Sequence, residues 1–386
     1  MSVPNTILFS AFEPSGDALA SRLITELKNR LPNLDILAFG GPRMQAAGAT
    51  LIEQTTSDAV MLAGAIKHAK THYDRLKRAA KWLKQNKIDA LIPTDSPAAN
   101  WGMCKNVRKL QPHAKVIHLA GPQLWAWAPW RIRKLRRLSD HVLCLLPFEP
   151  DWFSSRGVPA TFVGHPLFEE EHASHEIDHT LDLPQTTGTK LAILPGSRAS
   201  EIDKNWPTML AAYKQLKQQH PTLSAVVAAA DDDRKAAILS HANNTLADDM
   251  HLVTGKAGSV LDWADLGLIV SGTATLQAVT HQTPLVSLYN INKMTWKLIG
   301  QFLVRSRPLT LPNIISTHLG LGQATPELMP HFGEIPPVTS AVNELITNPD
   351  KRDHQIQTFK AICDTFNAKQ FSIAAADAFQ AITIAS

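Results

Sequence analysis

From residue 6 onward, short apolar runs alternate with longer stretches whose apolar positions recur every three or four residues. Runs at 6–9 and 35–39 flank an amphipathic stretch at 17–30, and runs at 90–93, 115–119 and 142–146 are each followed by turn or helix signals. Runs this short predict buried parallel strands, and the stretches between them predict helices on the sheet faces. A His- and Thr-rich stretch at 170–188 breaks the rhythm, which resumes at 191–194, 224–229, 251–253, 266–270 and 284–288. The expected fold class is therefore α/β, with two Rossmann-like doubly wound domains. Residues 338–385 are helical in pattern. The expected divisions are 1–170, 188–340, and a C-terminal helical segment 341–386 packing near the domain junction.

Composition narrows the class. A chain of 386 residues, 44% hydrophobic and 19% charged, is long enough for two cores and is not a disordered chain. Cys104, Cys144 and Cys363 are too scattered for a disulfide framework, and a reducing cytoplasm is expected. Residues 1–5 lead straight into an apolar run with no export-signal pattern. No stretch approaches 18 uninterrupted apolar residues, so membrane contact, if any, is expected to be peripheral. The net charge of +4 is modest, but Arg131, Arg133, Lys134, Arg136 and Arg137 are clustered beside Trp125, Trp127 and Trp130. This is either a solvated helix face or a surface for anionic lipid. A second apolar stretch at 295–304 is flanked by Lys293, Lys297, Arg305 and Arg307. No nucleic-acid motif accompanies the basic residues, and His118 and His165 have no metal-ligand spacing, so neither nucleic acid nor metal is expected.

In doubly wound sheets the chemistry lies beyond the carboxyl ends of the strands. The run 191–194 leads into Pro195-Gly196-Ser197-Arg198 with Glu201 beyond, where a glycine permits close backbone approach and an arginine offers a fork for phosphate oxygens. The run 266–270 opens into Ser271-Gly272-Thr273-Ala274 at a helix start, which suits a diphosphate through backbone N–H groups. Two such turns in one half point to a shared anionic ligand such as a nucleoside diphosphate. In the first half, Glu13-Pro14-Ser15-Gly16-Asp17 follows the first run, and Thr94-Asp95-Ser96-Pro97 follows 90–93. Asp95 reads either as a general base or as a turn-forming aspartate before Ser-Pro.

The ordered set Ser15-Gly16-Asp17, Gly41-Pro42-Arg43-Met44, Asp95 with Pro97, Trp125-Ala126-Trp127, Leu146-Pro147-Phe148-Glu149, Val163-Gly164-His165-Pro166, Leu194 to Arg198, Ser271 to Ala274 and Leu311-Pro312-Asn313 resembles the lipid-A-disaccharide synthase family. The resemblance spans nearly the whole chain. It implies a GT-B fold with the two domains facing across a cleft, and an inverting, metal-free transfer that joins UDP-2,3-diacylglucosamine to 2,3-diacylglucosamine 1-phosphate. The product is the β-1,6-linked disaccharide, UDP leaves, and no cofactor is needed because the UDP-sugar is a substrate. It further implies Asp95 as the base, Arg198 at the leaving diphosphate, and Asn313 near the nucleotide. Gly196, Ser197, Arg198, Ser271, Gly272, Thr273 and Gln277 are implied as the nucleotide-binding set. An anionic membrane surface at the inner face of the inner membrane is the implied location, and a homodimer is compatible with it.

The chain departs from the family pattern at four places. Asp95-Ser96-Pro97 continues with Ala98-Ala99-Asn100 where an acid and an aromatic precede the Asn. Gln277 stands where the family has a glutamate, an acid that holds the nucleotide ribose in related folds. Met61-Leu62-Ala63-Gly64 and His118 to Pro122 are looser matches. Alternatives of other kinds are a sugar-nucleotide 2-epimerase, which shares the fold, and a non-catalytic lipid-sugar binding protein.

Overall fold

The structure, a computed structural model, describes residues 4–56, 65–95, 97–171, 181, 183–241, 246, 249–297 and 308–384, with only the backbone of 65–70, 97, 170 and 171. The stretch 61–64 and most of 295–304 fall outside these residues, as do Arg305 and Arg307. The chain divides into two compact units, 1–166 with 368–386, and 167–367.

The first unit is built on a seven-stranded parallel sheet. Its strands are β1 (Thr6–Ser10), β2 (Asp35–Gly40), β3 (Thr50–Gln54), β4 (Ala90–Pro93), β5 (Lys115–Leu119), β6 (His141–Cys144) and β7 (Ala160–Phe162), in the order β3-β2-β1-β4-β5-β6-β7. Helices α1 (Pro14–Arg30), α2 (Pro42–Ala46), α3 (Ala65–Gln85), α4 (Pro97–Leu110), α5 (Ile132–Leu138) and α6 (Glu149–Ser154) connect or follow these strands, and α7 (Pro166–Glu171) begins the second unit. Successive residues of β1 enter different cores: Ile7 and Phe9 pack with Leu23, Ile24 and Leu27 of α1, while Leu8 packs with Leu91, Trp101 and Val107. Both faces are buried, which is why the strands read as continuous apolar runs.

The second unit repeats the plan. β8 (Lys190–Leu194), β9 (Ser224–Ala229), β10 (Met250–Thr254), β11 (Leu266–Val270), β12 (Leu285–Asn290) and β13 (Glu327–His331) form a parallel sheet in the order β10-β9-β8-β11-β12-β13. The helices α8 (Ala199–Gln219), α9 (Asp232–His241), α10 (Ala257–Trp263) and α11 (Thr273–Thr280) follow β8 to β11 in turn. Strand order reverses between β1 and β4 in the first sheet and between β8 and β11 in the second, and at such switch points the following loops diverge to opposite faces and leave a crevice. Register aligns the ends: Ser10 pairs with Pro93, and Ile269 with Leu194.

Within 341–386, the helix Pro349–Asn367 belongs to the second unit and the helix Phe371–Ile384 to the first. The latter buries Phe371, Ala375, Ala376 and Phe379 in the core beneath β1 and α1. Phe379→Ala should therefore lower the stability of the first unit by about 3 to 5 kcal/mol in denaturant unfolding. A loss below about 1 kcal/mol would show that this helix is not part of that core.

Candidate active site

The two turns at the switch point of the second sheet meet around one pocket of 520 Å³, lined by Gly196, Ser197, Arg198, Ser271, Gly272, Thr273 and Gln277 among others. All seven residues expected to hold a nucleotide are thus brought together. Gly196 has φ +118°, and a methyl group on it would stand 2.7 Å from Glu201 Cβ, so only glycine fits this turn. The Glu201 carboxylate organises the loop: it accepts the N–H of Ser197 at 3.0 Å and of Arg198 at 3.2 Å, and the guanidinium Nη1 of Arg198 at 2.7 Å. The Arg198 side chain is nevertheless 70% exposed, so its fork stays accessible to a ligand. Arg234 of α9 braces the loop from behind, donating from Nε to the Ser197 carbonyl at 3.2 Å. Opposite, a methyl group on Gly272 would meet nothing within 4 Å, which leaves the N-terminus of α11 open to close approach by an anion. Gly255, Ala257 and Gly258, after β10, complete the wall. Their contribution is invisible to motif reading because small residues carry no chemistry of their own.

In the first unit Asp95 follows β4 with φ +52°, a left-handed conformation that a non-glycine residue holds only under constraint. The constraint is Asn100, buried on α4, whose amide donates to the carbonyls of Asp95 at 2.8 Å and Thr94 at 3.1 Å while its oxygen accepts from Ser10 Oγ at 2.6 Å. Ser15 Oγ donates to Asp95 Oδ2 at 2.7 Å. A carboxylate presented at a sheet's switch point on a fixed backbone is suited to accept a proton. Motif reading names Asn100 but gives it no role; standing five positions after Asp95, it is in reach of that residue's backbone.

Several of the other motif residues are clamps. Asp17 is buried and accepts the N–H groups of Gly41 at 3.0 Å, Arg43 at 3.0 Å and Met44 at 3.1 Å, so the first two motifs form one capped helix start. Asn313, on the helix Leu311–His318, does not line the pocket. It is fully buried, donates to the Thr325 carbonyl at 3.1 Å and to Glu327 Oε2 at 3.0 Å, and accepts from Thr325 N–H at 2.8 Å. Its amide ties that helix to β13. Trp125 is also unavailable as a surface anchor: it is 8% exposed, packs edge-on against Phe148 at 4.9 Å and donates from Nε1 to Glu149 at 3.0 Å.

Trp127 and Trp130 remain 42% and 57% exposed. Arg131 lies over the Trp127 ring at 4.7 Å. On α5, Leu135 and Leu138 turn inward while Arg133, Arg136 and Arg137 are exposed. His118 and His165 are held well below the usual imidazole range by burial, at about 3 and about 4. Among the described residues no group of three His, Cys, Asp or Glu side chains is placed to hold a metal.

Solved structures with the same plan include Staphylococcus aureus MnaA with UDP, TM-score 0.62 at 10% identity over 92% of this chain and 91% of that one. UDP-GlcNAc 2-epimerase from Neisseria meningitidis bound to UDP-GlcNAc gives 0.60 at 12% over 98% and 99%. The fold is GT-B, that of glycosyltransferases and their epimerase relatives. The profile described as lipid-A-disaccharide synthetase matches residues 7–381. Lipid-A-disaccharide synthase of Burkholderia pseudomallei (strain K96243) is 35% identical over 85% of this chain and 84% of its own. That of Myxococcus xanthus (strain DK1622) is 32% identical over 85% and 86%. The chain belongs to the lipid-A-disaccharide synthetase family, a family of glycosyltransferases.

Glu149 supplies a pH test of the Trp125 clamp. Burial pushes its carboxyl up from 4.5 to about 7, against the hydrogen bonds from Trp125 and the Leu146 backbone. The raised value means the folded chain holds this proton where the unfolded chain has lost it. Its contribution is full below about 4.5 and lost as pH rises through about 7. His118 and His165, both depressed, work in the opposite sense, losing stability as pH falls from 6.5 toward about 3 and about 4. Unfolding of wild type and Glu149→Gln should therefore be compared pH by pH. The wild type should lose up to about 3 kcal/mol relative to the variant between about pH 5 and pH 8. A pH-independent difference would contradict the assignment.

Proposed function

We propose that the protein joins UDP-2,3-diacylglucosamine to 2,3-diacylglucosamine 1-phosphate, forms the β-1,6-linked lipid A disaccharide 1-phosphate with inversion, and releases UDP. The observation that carries this reading is the meeting of Gly196, Ser197, Arg198, Ser271, Gly272, Thr273 and Gln277 around one pocket in a chain of this family. Arg198 and the N-terminus of α11 offset the charge that grows on the diphosphate as its bond to the anomeric carbon breaks. Asp95, fixed by Asn100 and Ser15, takes the proton of the acceptor hydroxyl as it attacks. Asn313 acts at a distance by holding the helix Leu311–His318 in place. With two sources of positive potential at the diphosphate, the transfer needs no metal and no cofactor. The family match over residues 7–381 favours transfer over epimerisation.

The acyl chains bring the enzyme to a membrane. No helix among the described residues is long and apolar enough to cross one. Trp127, Trp130 and the basic face of α5 form a surface suited to the anionic headgroup boundary of the inner membrane's cytoplasmic face.

Incubation of the two substrates with the protein, read by mass spectrometry, should yield the disaccharide phosphate in EDTA as well as without it. Absence of product would sink the reading, and activity lost in EDTA and restored by Mg²⁺ would reveal a metal. Asp95→Asn should lower turnover by about 10²- to 10⁴-fold with UDP binding retained, and near-wild-type turnover would remove Asp95 as the base. In flotation with anionic vesicles at low salt, wild type should rise with the vesicles, and Arg131/Arg133/Arg136/Arg137→Ser should largely remain below. If neither floats, α5 is a solvated face.

A further inference from the structure

Where α4 and α5 pack together in the first unit, two cations rest on indole rings. Lys134 Nζ stands over the Trp101 ring at 4.7 Å, and the Arg131 guanidinium over the Trp127 ring at 4.7 Å. Lys134 lies one turn after Arg131, and Lys105 one turn after Trp101 on α4, so three cations converge. Burial and the charges of Lys105 and Arg131 hold the Lys134 ammonium below the usual lysine range. Among the described residues none of the three is paired with a carboxylate, although Arg108, a turn further along α4, is bound to Asp140 at 2.7 Å. A ring face occupies one side of a cation and leaves its other N–H groups to a ligand. Trp101 is itself buried, so the platform under Lys134 is fixed.

We propose that Lys105, Arg131 and Lys134 form the subsite for the acceptor's phosphomonoester, the 1-phosphate of the sugar whose hydroxyl attacks. The inference rests on the transfer proposed above. One helix ties the base to these cations: Asn100 of α4 holds the Asp95 backbone at 2.8 Å, and the next residue, Trp101, is the platform under Lys134. The acceptor has two matching ends, the C6 hydroxyl that gives up its proton and the phosphate on C1. A base and an anion site fixed to the same helix engage both ends of one sugar ring. A phosphomonoester carries about −1.5 to −2 charges near pH 7, so it offsets more than one cation and relieves the repulsion that burdens Lys134. Most bilayer phosphates are diesters with a single charge. They suit the exposed Arg133, Arg136 and Arg137, whereas Lys134 is half-buried against Trp101.

The test is calorimetric titration with a short-chain 2,3-diacylglucosamine 1-phosphate and with the same sugar lacking the phosphate. Wild type should bind the phosphorylated sugar at least about 10-fold more tightly. Lys134→Met, which keeps an apolar stem on Trp101, should cut that preference about 3- to 10-fold and leave affinity for the phosphate-free sugar unchanged. Lys134→Arg should retain the preference, and Lys105→Ala should reduce it further in the Lys134→Met background. Neither lysine belongs to the flotation variant above, so vesicle binding should be the same in wild type and Lys134→Met. Equal binding of the two sugars by wild type, a preference untouched by Lys134→Met, or an equal loss on both sugars would overturn the proposal. An unchanged preference with weaker flotation would assign the cations to lipid headgroups instead. Should Lys134→Met fail to fold, Lys105→Ala, at an exposed position, carries the same comparison with the same outcomes. A wild type that shows the preference, loses it in Lys134→Met and yet makes no disaccharide would remove the proposed transfer and leave the subsite standing.

Discussion

A parallel strand covered on both faces has no room along its length for a polar side chain without a partner, and this constraint arranges everything else in the molecule. β1 and β8 are buried almost throughout, so chemistry is confined to the loops that leave their carboxyl ends. Each sheet reverses its strand order once, and at each reversal two such loops stand side by side. In the first unit those loops bring Ser15 to Asp95. In the second they set the Arg198 turn beside the start of α11. The position of each site thus follows from burial and topology before any particular residue is considered.

Loops so placed must also be stiff, and here carboxylates that are buried or partly buried recur in one role. Asp17 accepts three backbone N–H groups at the start of α2, Glu201 accepts two at the start of α8, and Glu327 accepts from the backbone of Leu309 and Thr310 and from Asn313. Each repays the desolvation of its charge through several charge-assisted bonds, and each fixes a loop at a strand or helix end. Functional precision in this chain comes as much from these acids as from the side chains that face the pocket.

The legibility of the sequence follows the range of the interactions. Central strands such as β1, β8 and β11 are plain in the pattern because burial on both faces demands continuous apolar residues. β3, β7 and β13 escape the pattern: β3 is an edge strand with no buried residue, β7 has three residues, and β13 contains Pro330. Gly196, Ser197, Arg198 and Gly272 are legible as pocket-lining residues because a glycine, serine or arginine in the turn after a strand can be placed from local sequence. Asn313 and Trp125 are not, since what decides their role is a partner distant in sequence, Glu327 for one and Glu149 for the other. The same reason hides the parts played by Asn100 and Arg234. Motifs mark where residues matter, and only the contacts tell whether they hold the ligand or hold the loop.

The central claim is that the turn after β8 and the start of α11 form a diphosphate site. Calorimetric titration of the wild type with UDP and with uridine tests it most directly. UDP should bind at least about 30-fold more tightly, the worth of one or two charge-assisted hydrogen bonds, and Arg198→Ala should remove most of that advantage. Equal affinities for UDP and uridine, or an advantage untouched by Arg198→Ala, would contradict the account.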